Sequence, residues 1–566
     1  NDALRKEKRI KYVCCHHEQG AAIAAEGYSR TSGGLAVVSV TSGPGGTNAL
    51  TGVIGQWLDS VPVLYLSGQA KFETTIASVP ESHLRQLGNQ EINIIDIVRP
   101  VTKYAKMITD PETIKAELDK AIHIARSGRP GPVWIDIPIN VQGAMIDEQE
   151  LKGEALNEVF PSVKDNDILK TIEELQKAKR PLFVAGHGIR ISGAKKEFLE
   201  LVDLLNIPVV TTYNGFDLIP SESNNFVGRI GTEGSRSGNF ALQNADLVIF
   251  LGTRNNIRQV SYNWTSFARN AKKIIVDIDE SELYKKTVKG DILIQSDAKI
   301  FIEKLLQKIQ SGFKVDKKWL EWCLERKRKY PVVLDEYKIP YENSVHPYHF
   351  VEELTSALDD NAIAVAANGT ACVVLFQAGI VKNNQRVFWN SGCASMGYAL
   401  PASMGAALAS GKDVVCIEGD GSLQMNLHEL QTIKHYNLPV KMFVLNNQGY
   451  HSIKETQTNF FNANFIGINK DTGISFPDCS KLADLYGFKY YKIDSTERME
   501  EIIKNVLSFE GPVMCEVVLC DYIFAPKLSS EKKPDGRIIS KPLEDLSPFL
   551  DRNELKGNMI FPIDEE

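Results

Sequence analysis

Short apolar, β-branched runs alternate with segments of helical spacing along almost the whole chain, a pattern that predicts parallel sheets covered by helices. In the first block the predicted strands are KYVCC (11–15), LAVVSV (35–40), PVLYLSG (62–68) and PVWIDIP (132–138), the last entered through the turn SGRPG. A polar stretch from Gln142 to Asp167 reads as a linker. The second block begins at RPLFVAGHG (180–188), continues through IPVVTT, ADLVIFLGTR and KKIIVDID, and ends near the helix DAKIFIEKLLQKIQ. A charged segment, VDKKWLEWCLERKRKY (315–330), leads to a third block that starts near His346 and contains NAIAVAANG, KDVVCIEGDGS, VKMFVLNN and GPVMCEVVL. The chain opens on a polar helix-like stretch, NDALRKEKRIKYV, and closes on a polar, Pro-rich tail expected to wrap without forming a core. The predicted class is α/β, with three doubly wound parallel-sheet domains at 1–150, 160–335 and 345–525 and a tail at 526–566.

Composition supports this division. With 566 residues, 43% hydrophobic and 24% charged, the chain is long enough for several separate cores. Lys+Arg 64 against Asp+Glu 71 gives a net charge of −7, so no broad basic surface invites nucleic acid. No apolar run reaches the roughly 18 residues of a membrane span. Nine cysteines without a C-x-x-C pair argue against structural zinc and against a disulfide framework. They read as free thiols, mostly buried, in a reducing compartment, so the chain is expected in the cytoplasm. No signal peptide is visible, although the sequence opens without an initiating Met.

The third block holds the densest chemistry. DVVCIE (413–418) predicts a buried strand that turns through Gly419-Asp420-Gly421-Ser422. NLHELQTIKHY (426–436) has helical spacing, with Leu427, Leu430, Ile433 and His435 near one face, and VKMFVL (440–445) is the next strand, followed by Asn446-Asn447-Gln448-Gly449. A right-handed crossover brings the carboxyl ends of both strands to one edge of the sheet, so Asp420 and Asn447 emerge side by side where open α/β sheets bind ligands. One carboxylate, one amide oxygen and a loop carbonyl leave room around Mg²⁺ for diphosphate oxygens and a water. The glycines allow close backbone approach to that diphosphate. Alone, GDG and NNQG are each ordinary turns; joined across one crossover, 27 residues apart, they point to function.

GDGS followed by NN after a helix and a strand resembles the thiamine diphosphate motif of the thiamine-dependent decarboxylases and carboligases. The resemblance implies that Asp420, Asn447 and the carbonyl of Gly449 hold the metal. HHEQGAAIAAEGYSR (16–30) resembles the pyrimidine-domain motif of the acetohydroxyacid synthase group, and TSGPGGTN (41–48), WLDSVPVLYLSGQ (57–69) and GRPGPVWIDIP (128–138) continue the match. It implies pyrimidine-binding, central and diphosphate-binding domains, with the first strand of the pyrimidine-binding domain missing from this sequence. Glu18 would hydrogen-bond N1′ of the aminopyrimidine and act as a proton relay in a dry site that raises its pKa; the plainer reading is a carboxylate at a helix N-terminus. In NSGCASMGYALPASMGAALA (390–409), Met396 would prop the cofactor into a bent shape, while close helix packing explains the small residues equally well. Asn368-Gly369-Thr370 stand where relatives contact the diphosphate. The family clamps each cofactor between domains of opposite subunits, so a homodimer or homotetramer is implied.

The central block resembles the flavin-binding domain of acetohydroxyacid synthases through GRIGTEGSRSGN (228–239) and LGTRNNIRQ (251–259), which leaves FAD open, because related domains exist that bind no nucleotide. Arg258 would clamp the acceptor's carboxylate; the alternative is an ordinary interdomain ion pair. Asn89-Gln90-Glu91 stands where the family has Phe-Gln-Glu, leaving Gln90 as a substrate-side residue, and Thr456 stands where the family has an acceptor-selecting Trp, which enlarges that pocket. The expected activity is a carboligase dependent on thiamine diphosphate and Mg²⁺. It would decarboxylate a 2-keto acid, pyruvate foremost, and transfer the two-carbon unit to an acceptor carbonyl. The alternatives are a non-ligating decarboxylase, a branched-chain acetohydroxyacid synthase proper, and a non-catalytic homologue.

Overall fold

The computed structural model describes residues 2–157, 160–309, 315–527, 530–533 and 535–563. Its first sheet contains β1 (Ala36–Val40), β2 (Val63–Gln69), β3 (Tyr104–Met107) and β4 (Val133–Pro138), in the order β1-β2-β4-β3. The second contains β5 (Pro181–Ala185), β6 (Val209–Thr211), β7 (Phe226–Arg229), β8 (Leu247–Leu251), β9 (Lys272–Asp277) and β10 (Ile292–Gln295), in the order β10-β9-β8-β5-β6-β7. The third contains β11 (Ile363–Ala366), β12 (Arg386–Phe388), β13 (Val414–Gly419), β14 (Val440–Asn446), β15 (Lys489–Ile493) and β16 (Val513–Val518), in the order β12-β11-β13-β14-β16-β15. Every pairing within these three sheets is parallel. Strand order reverses between β5 and β8 and again between β11 and β13, which makes both six-stranded sheets doubly wound and opens a crevice at each reversal.

Alternation along the strands builds a core on each face. In β5 and β8, Phe183, Ala185, Leu247, Ile249 and Leu251 enter one cluster while Leu182, Val184, Val248 and Phe250 enter the opposite one. With both faces covered, these runs are continuously apolar, and each fully buried side chain of this kind contributes about 1.5–3 kcal/mol.

The first and third domains meet helix to helix. Glu18–Ser32 lies against Ala399–Ser410, and the glycines make the approach feasible: a Cβ on Gly27 would sit 2.0 Å from the Ala402 carbonyl, and one on Gly405 would sit 1.8 Å from that of Ala24. The small residues of both motifs therefore do serve close packing. Ion pairs bolt all three domains together. Asp59 accepts from Arg30 at 2.9 Å, from the backbone N–H groups of Ser391 and Gly392 at 3.0 and 3.1 Å, and from Arg254 at 3.3 Å. Asp217 pairs with Arg190 at 2.9 Å and Arg386 at 3.0 Å.

Three local expectations are corrected. KYVCC (11–15) is not a strand: Cys14 N–H donates to the Tyr436 hydroxyl of the third domain at 3.0 Å, and just beyond the run the His16 and His17 N–H groups go to Glu429. The opening stretch is helical only over Asp2–Lys6, which buries nothing and so has no packing to extend it. The helix expected over 426–436 starts at Glu429, and its buried face is Glu429, Leu430, Thr432 and Ile433, leaving His435 exposed. The tail does wrap: Leu543 joins the central core, and Glu544 pairs with Arg269 at 2.7 Å.

Candidate active site

Three strand ends of the third sheet converge on one edge. After β11 the chain turns through Gly369, held at φ +74°, into the helix Thr370–Ala378. After β13 it enters a one-turn helix, Asp420–Leu423, and after β14 it runs through Asn447 to Gly449. The Gly449 N–H is shared by Asp420 Oδ2 at 3.2 Å and Asn447 Oδ1 at 3.3 Å, so the two predicted oxygens face one point. Asp420 is buried, and its other oxygen accepts from Gly421 N–H at 2.7 Å. Burial raises its pKa to about 6 against the lowering effect of these backbone donors. A Cβ on Gly421 would fall 2.2 Å from the Tyr450 ring, so only glycine lets that ring cover the turn.

The Met396 loop is pinned to the same edge. Asn368 Nδ2 donates to the Ser395 carbonyl at 2.7 Å, Gly397 N–H donates to the Ser422 hydroxyl at 2.8 Å, and Asn426 Nδ2 donates to the Gly397 carbonyl at 2.7 Å. Met396 itself is half-buried. The structure thus brings the loops that carry Gly369, Thr370, Met396, Gly419, Asp420, Gly421, Ser422, Asn447 and Gly449 to one sheet edge. This donor set, hard oxygens beside glycine turns, suits Mg²⁺ and a diphosphate, and the buried Asp420 carboxylate, held by backbone N–H donors, has the chemistry of a cation ligand.

Glu18 opens its helix at the edge of the first sheet. Its Oε2 accepts from Asn48 Nδ2 at 3.1 Å, and its other oxygen lies above Gly45, where a Cβ would come within 3.5 Å. His17 caps the helix, its ring nitrogen accepting from Gln19 N–H. Glu18 is half-buried within the chain, short of the dry setting expected from the sequence. Gln90 adjoins the same loop: it is exposed, adopts φ +58°, and its carbonyl would meet a Cβ on Gly43 at 2.4 Å.

The other two substrate-side candidates stand apart from Glu18. Arg258 donates to Glu233 at 2.9 Å and to the Tyr213 hydroxyl at 3.2 Å, with its guanidinium over the Tyr213 ring. Thr456 is exposed on the helix His451–Phe460 and donates back to the Ser452 carbonyl at 3.0 Å.

Sequence reading missed Tyr522. Its hydroxyl bonds that of Thr370 and receives Asn447 Nδ2 at 3.5 Å, joining the β11 and β14 loops, and its ring stacks on His451 at 4.0 Å. Glu455 then ties His451 to Lys527 and to the Phe524 N–H. The buried Glu418, whose pKa burial raises to about 7 and which accepts from Leu400 N–H at 3.1 Å, was also missed. Only an acidic residue inside an apolar strand hinted at it.

Comparison with known proteins fits this architecture. Residues 1–92 match the family model described as thiamine pyrophosphate enzyme, N-terminal TPP binding domain; residues 168–305 match the central domain; residues 367–517 match the C-terminal TPP binding domain. The chain belongs to the thiamine pyrophosphate enzyme family, acetolactate synthase-like branch. It is 32% identical to the acetolactate synthase large subunit of Lactococcus lactis subsp. lactis, over 92% of this chain and 87% of that protein. It is 33% identical to the acetolactate synthase of Arthrospira platensis (90% and 86%) and 30% identical to the acetolactate synthase isozyme 1 large subunit of Escherichia coli (91% and 88%). Among the described residues, no helix is long and apolar enough to cross a membrane.

Proposed function

We propose that this protein decarboxylates a 2-keto acid, pyruvate foremost, and transfers the two-carbon unit to an acceptor carbonyl, using thiamine diphosphate and Mg²⁺. The carrying observation is the convergence of Asp420 and Asn447 on one N–H at a glycine-lined sheet edge. Asp420, Asn447 and the Gly449 carbonyl hold the metal; Gly369, Thr370, Gly419, Gly421 and Ser422 receive the diphosphate; Met396 supports the ring system. When bound, the cofactor supplies the electron sink for loss of CO₂, while the protein supplies geometry and proton traffic. Glu18 holds a proton at the pyrimidine nitrogen, with Asn48 fixing its carboxylate. Gln90, Arg258 and Thr456 face the substrates.

The assembly we propose is a homodimer or homotetramer in which Glu18 of one copy serves the Asp420 loop of another. Nine free cysteines favour the cytoplasm. The place we propose for FAD is the crevice between β5 and β8, a cavity of about 360 Å³ lined by Gly188, Gly252, Arg254 and Asp277, with a buried His187 Nδ1 that has no partner among the described residues. A visible absorption scan decides that point.

Product analysis with pyruvate alone and with added keto acids, aldehydes or keto-sugars tests the activity. Acetolactate or a mixed ligation product is expected. Aldehyde alone makes the protein a simple decarboxylase, and strong preference for 2-ketobutyrate makes it a branched-chain enzyme. Calorimetry showing no Mg²⁺-dependent cofactor binding would make it a non-catalytic homologue.

A further inference from the structure

Glu429 belongs to the diphosphate-binding domain, yet its carboxylate works in the pyrimidine-binding one. It is fully buried, and its Oε1 accepts from the backbone N–H groups of His16 and His17, each at 3.1 Å. Those donors lead directly into the helix that Glu18 begins, where backbone N–H groups lack intrahelical partners. Its Oε2 accepts from the Thr432 hydroxyl at 2.6 Å. A Cβ on Gly20 would lie 2.4 Å from Oε1, so the first turn of the Glu18 helix is cut back to admit this oxygen. Gln19 Nε2 adds a second tie across the same seam, to Asn426 Oδ1 at 3.4 Å. A carboxylate taken wholly out of water is retained where its bonds fix something, and here they fix the two peptides before Glu18.

We propose that Glu429 is the positioning residue for Glu18: it sets the height and direction at which that carboxylate leaves the first domain, without touching cofactor or substrate. The assignment deepens the function proposed above and rests on Glu18 having the role given there. It makes Gly20 and Glu429 one device, a notch and the oxygen that fills it. Two backbone N–H groups and one hydroxyl, all neutral donors, hold the carboxylate, with His428 Nε2 farther off at 3.6 Å from Oε1, so acceptance of hydrogen bonds is what the site needs. A Gln at 429 can keep its carbonyl on the His16 and His17 N–H groups and turn its amide to the Thr432 oxygen.

The experiment compares the full chain with Glu429→Ala, Glu429→Gln and Gly20→Ala. Hydrogen exchange of the peptide spanning residues 12–24 reads the positioning itself, with or without cofactor. Glu429→Ala and Gly20→Ala should speed exchange there, and Glu429→Gln should match the parent. Equal exchange in Glu429→Ala and the parent overturns the proposal, as does a Gln variant that behaves like the Ala variant. With thiamine diphosphate and Mg²⁺ added, calorimetric affinity should stay within about 3-fold, whereas thiazolium C2 proton exchange, followed by NMR in D₂O, should slow by about 100-fold in Glu429→Ala, the effect of a misplacement near 1 Å, and recover in Glu429→Gln. Loss of affinity and exchange together would make Glu429 merely structural and overturn the proposal. Failure of the functional reading looks different: the parent would bind no cofactor, or Glu18→Gln would leave C2 exchange unchanged, while the peptide measurement still decides what Glu429 does.

Discussion

Asp217 and Asp420 are both buried carboxylates, and their surroundings treat them in opposite ways. Asp217 sits at the junction of the domains with Arg190 and Arg386 beside it and the Val387 N–H at 2.9 Å. Burial alone would raise its pKa, but the two guanidinium groups hold it well below the usual carboxylate range. Asp420 has backbone donors only, and burial lifts it to about 6. The first carboxylate is paired within the chain; the second has no cationic partner among the described residues. Burial is therefore a poor guide to function until the partners are counted, and the uncompensated charge marks the site.

The sharpest break of this comparison is Asp217→Ala. It strands Arg386, which also donates to the Arg30 carbonyl at 3.0 Å, and it leaves Arg190 without its carboxylate. Removing one member of a buried pair costs about 3–5 kcal/mol, so the thermal midpoint should fall by several degrees, with loss of domain cohesion visible by limited proteolysis. A midpoint within a degree of the parent would show that the junction does not depend on Asp217.

Acid should act through the same residue. Because the folded pKa of Asp217 is depressed, its contribution is whole above the unfolded value of about 4 and is lost as pH falls below it, by about 2–3 kcal/mol at most. In denaturation followed from pH 6 to pH 3, the parent should lose more stability than Asp217→Ala, which has already lost this contribution. Parallel curves would contradict the pairing.

Asp420→Asn should move stability the other way. A group whose folded pKa is raised costs stability as pH rises above its unfolded value of about 4, with the whole cost present above about 6, so without metal the Asn variant should gain about 1–2 kcal/mol at pH 8. Calorimetry should meanwhile find its Mg²⁺-dependent cofactor binding gone. A variant that is less stable, or that still binds, would make Asp420 a second Asp217.

The same contrast explains what the sequence disclosed. Asp420, Asn447 and Gly449 were legible because one β-α-β unit brings them together, and a crossover has only one common hand. Glu429, Tyr522 and Asp217 were not, since their meaning lies in partners far along the chain: Glu429 meets His16 across 413 residues, and Tyr522 meets Thr370 across 152. Strands divide similarly. The ones that the apolar pattern misses, β3, β7, β10, β12 and β15, all lie at sheet edges. YAKM, ILIQ and KYYKI carry polar residues there because one side of the ladder is open, whereas an interior strand such as LVIFL is apolar throughout. KYVCC failed conversely: β-like in composition, it joins no sheet, and its Cys14 N–H bonds to Tyr436 of another domain.

The smallest expected effect probes the least built part of the site. Thr456 is exposed, and its hydroxyl bonds only to Ser452 within its own helix, so Thr456→Trp should change stability by less than about 0.5 kcal/mol. The helix itself should stay put, because neighbouring Glu455 is held by Lys527 and by the Phe524 N–H. Any change in product ratio then reports the acceptor pocket rather than the fold. If Thr456 faces the acceptor in the assembled protein, a bulky apolar ring should shift competition between pyruvate and 2-ketobutyrate as acceptors by about 10-fold toward the larger, more apolar one, the scale of a methylene in a shaped pocket. An unchanged ratio would remove this helix from acceptor selection and leave Arg258, already engaged by Glu233 and Tyr213, to recognise the carboxylate only by exchanging one of those partners.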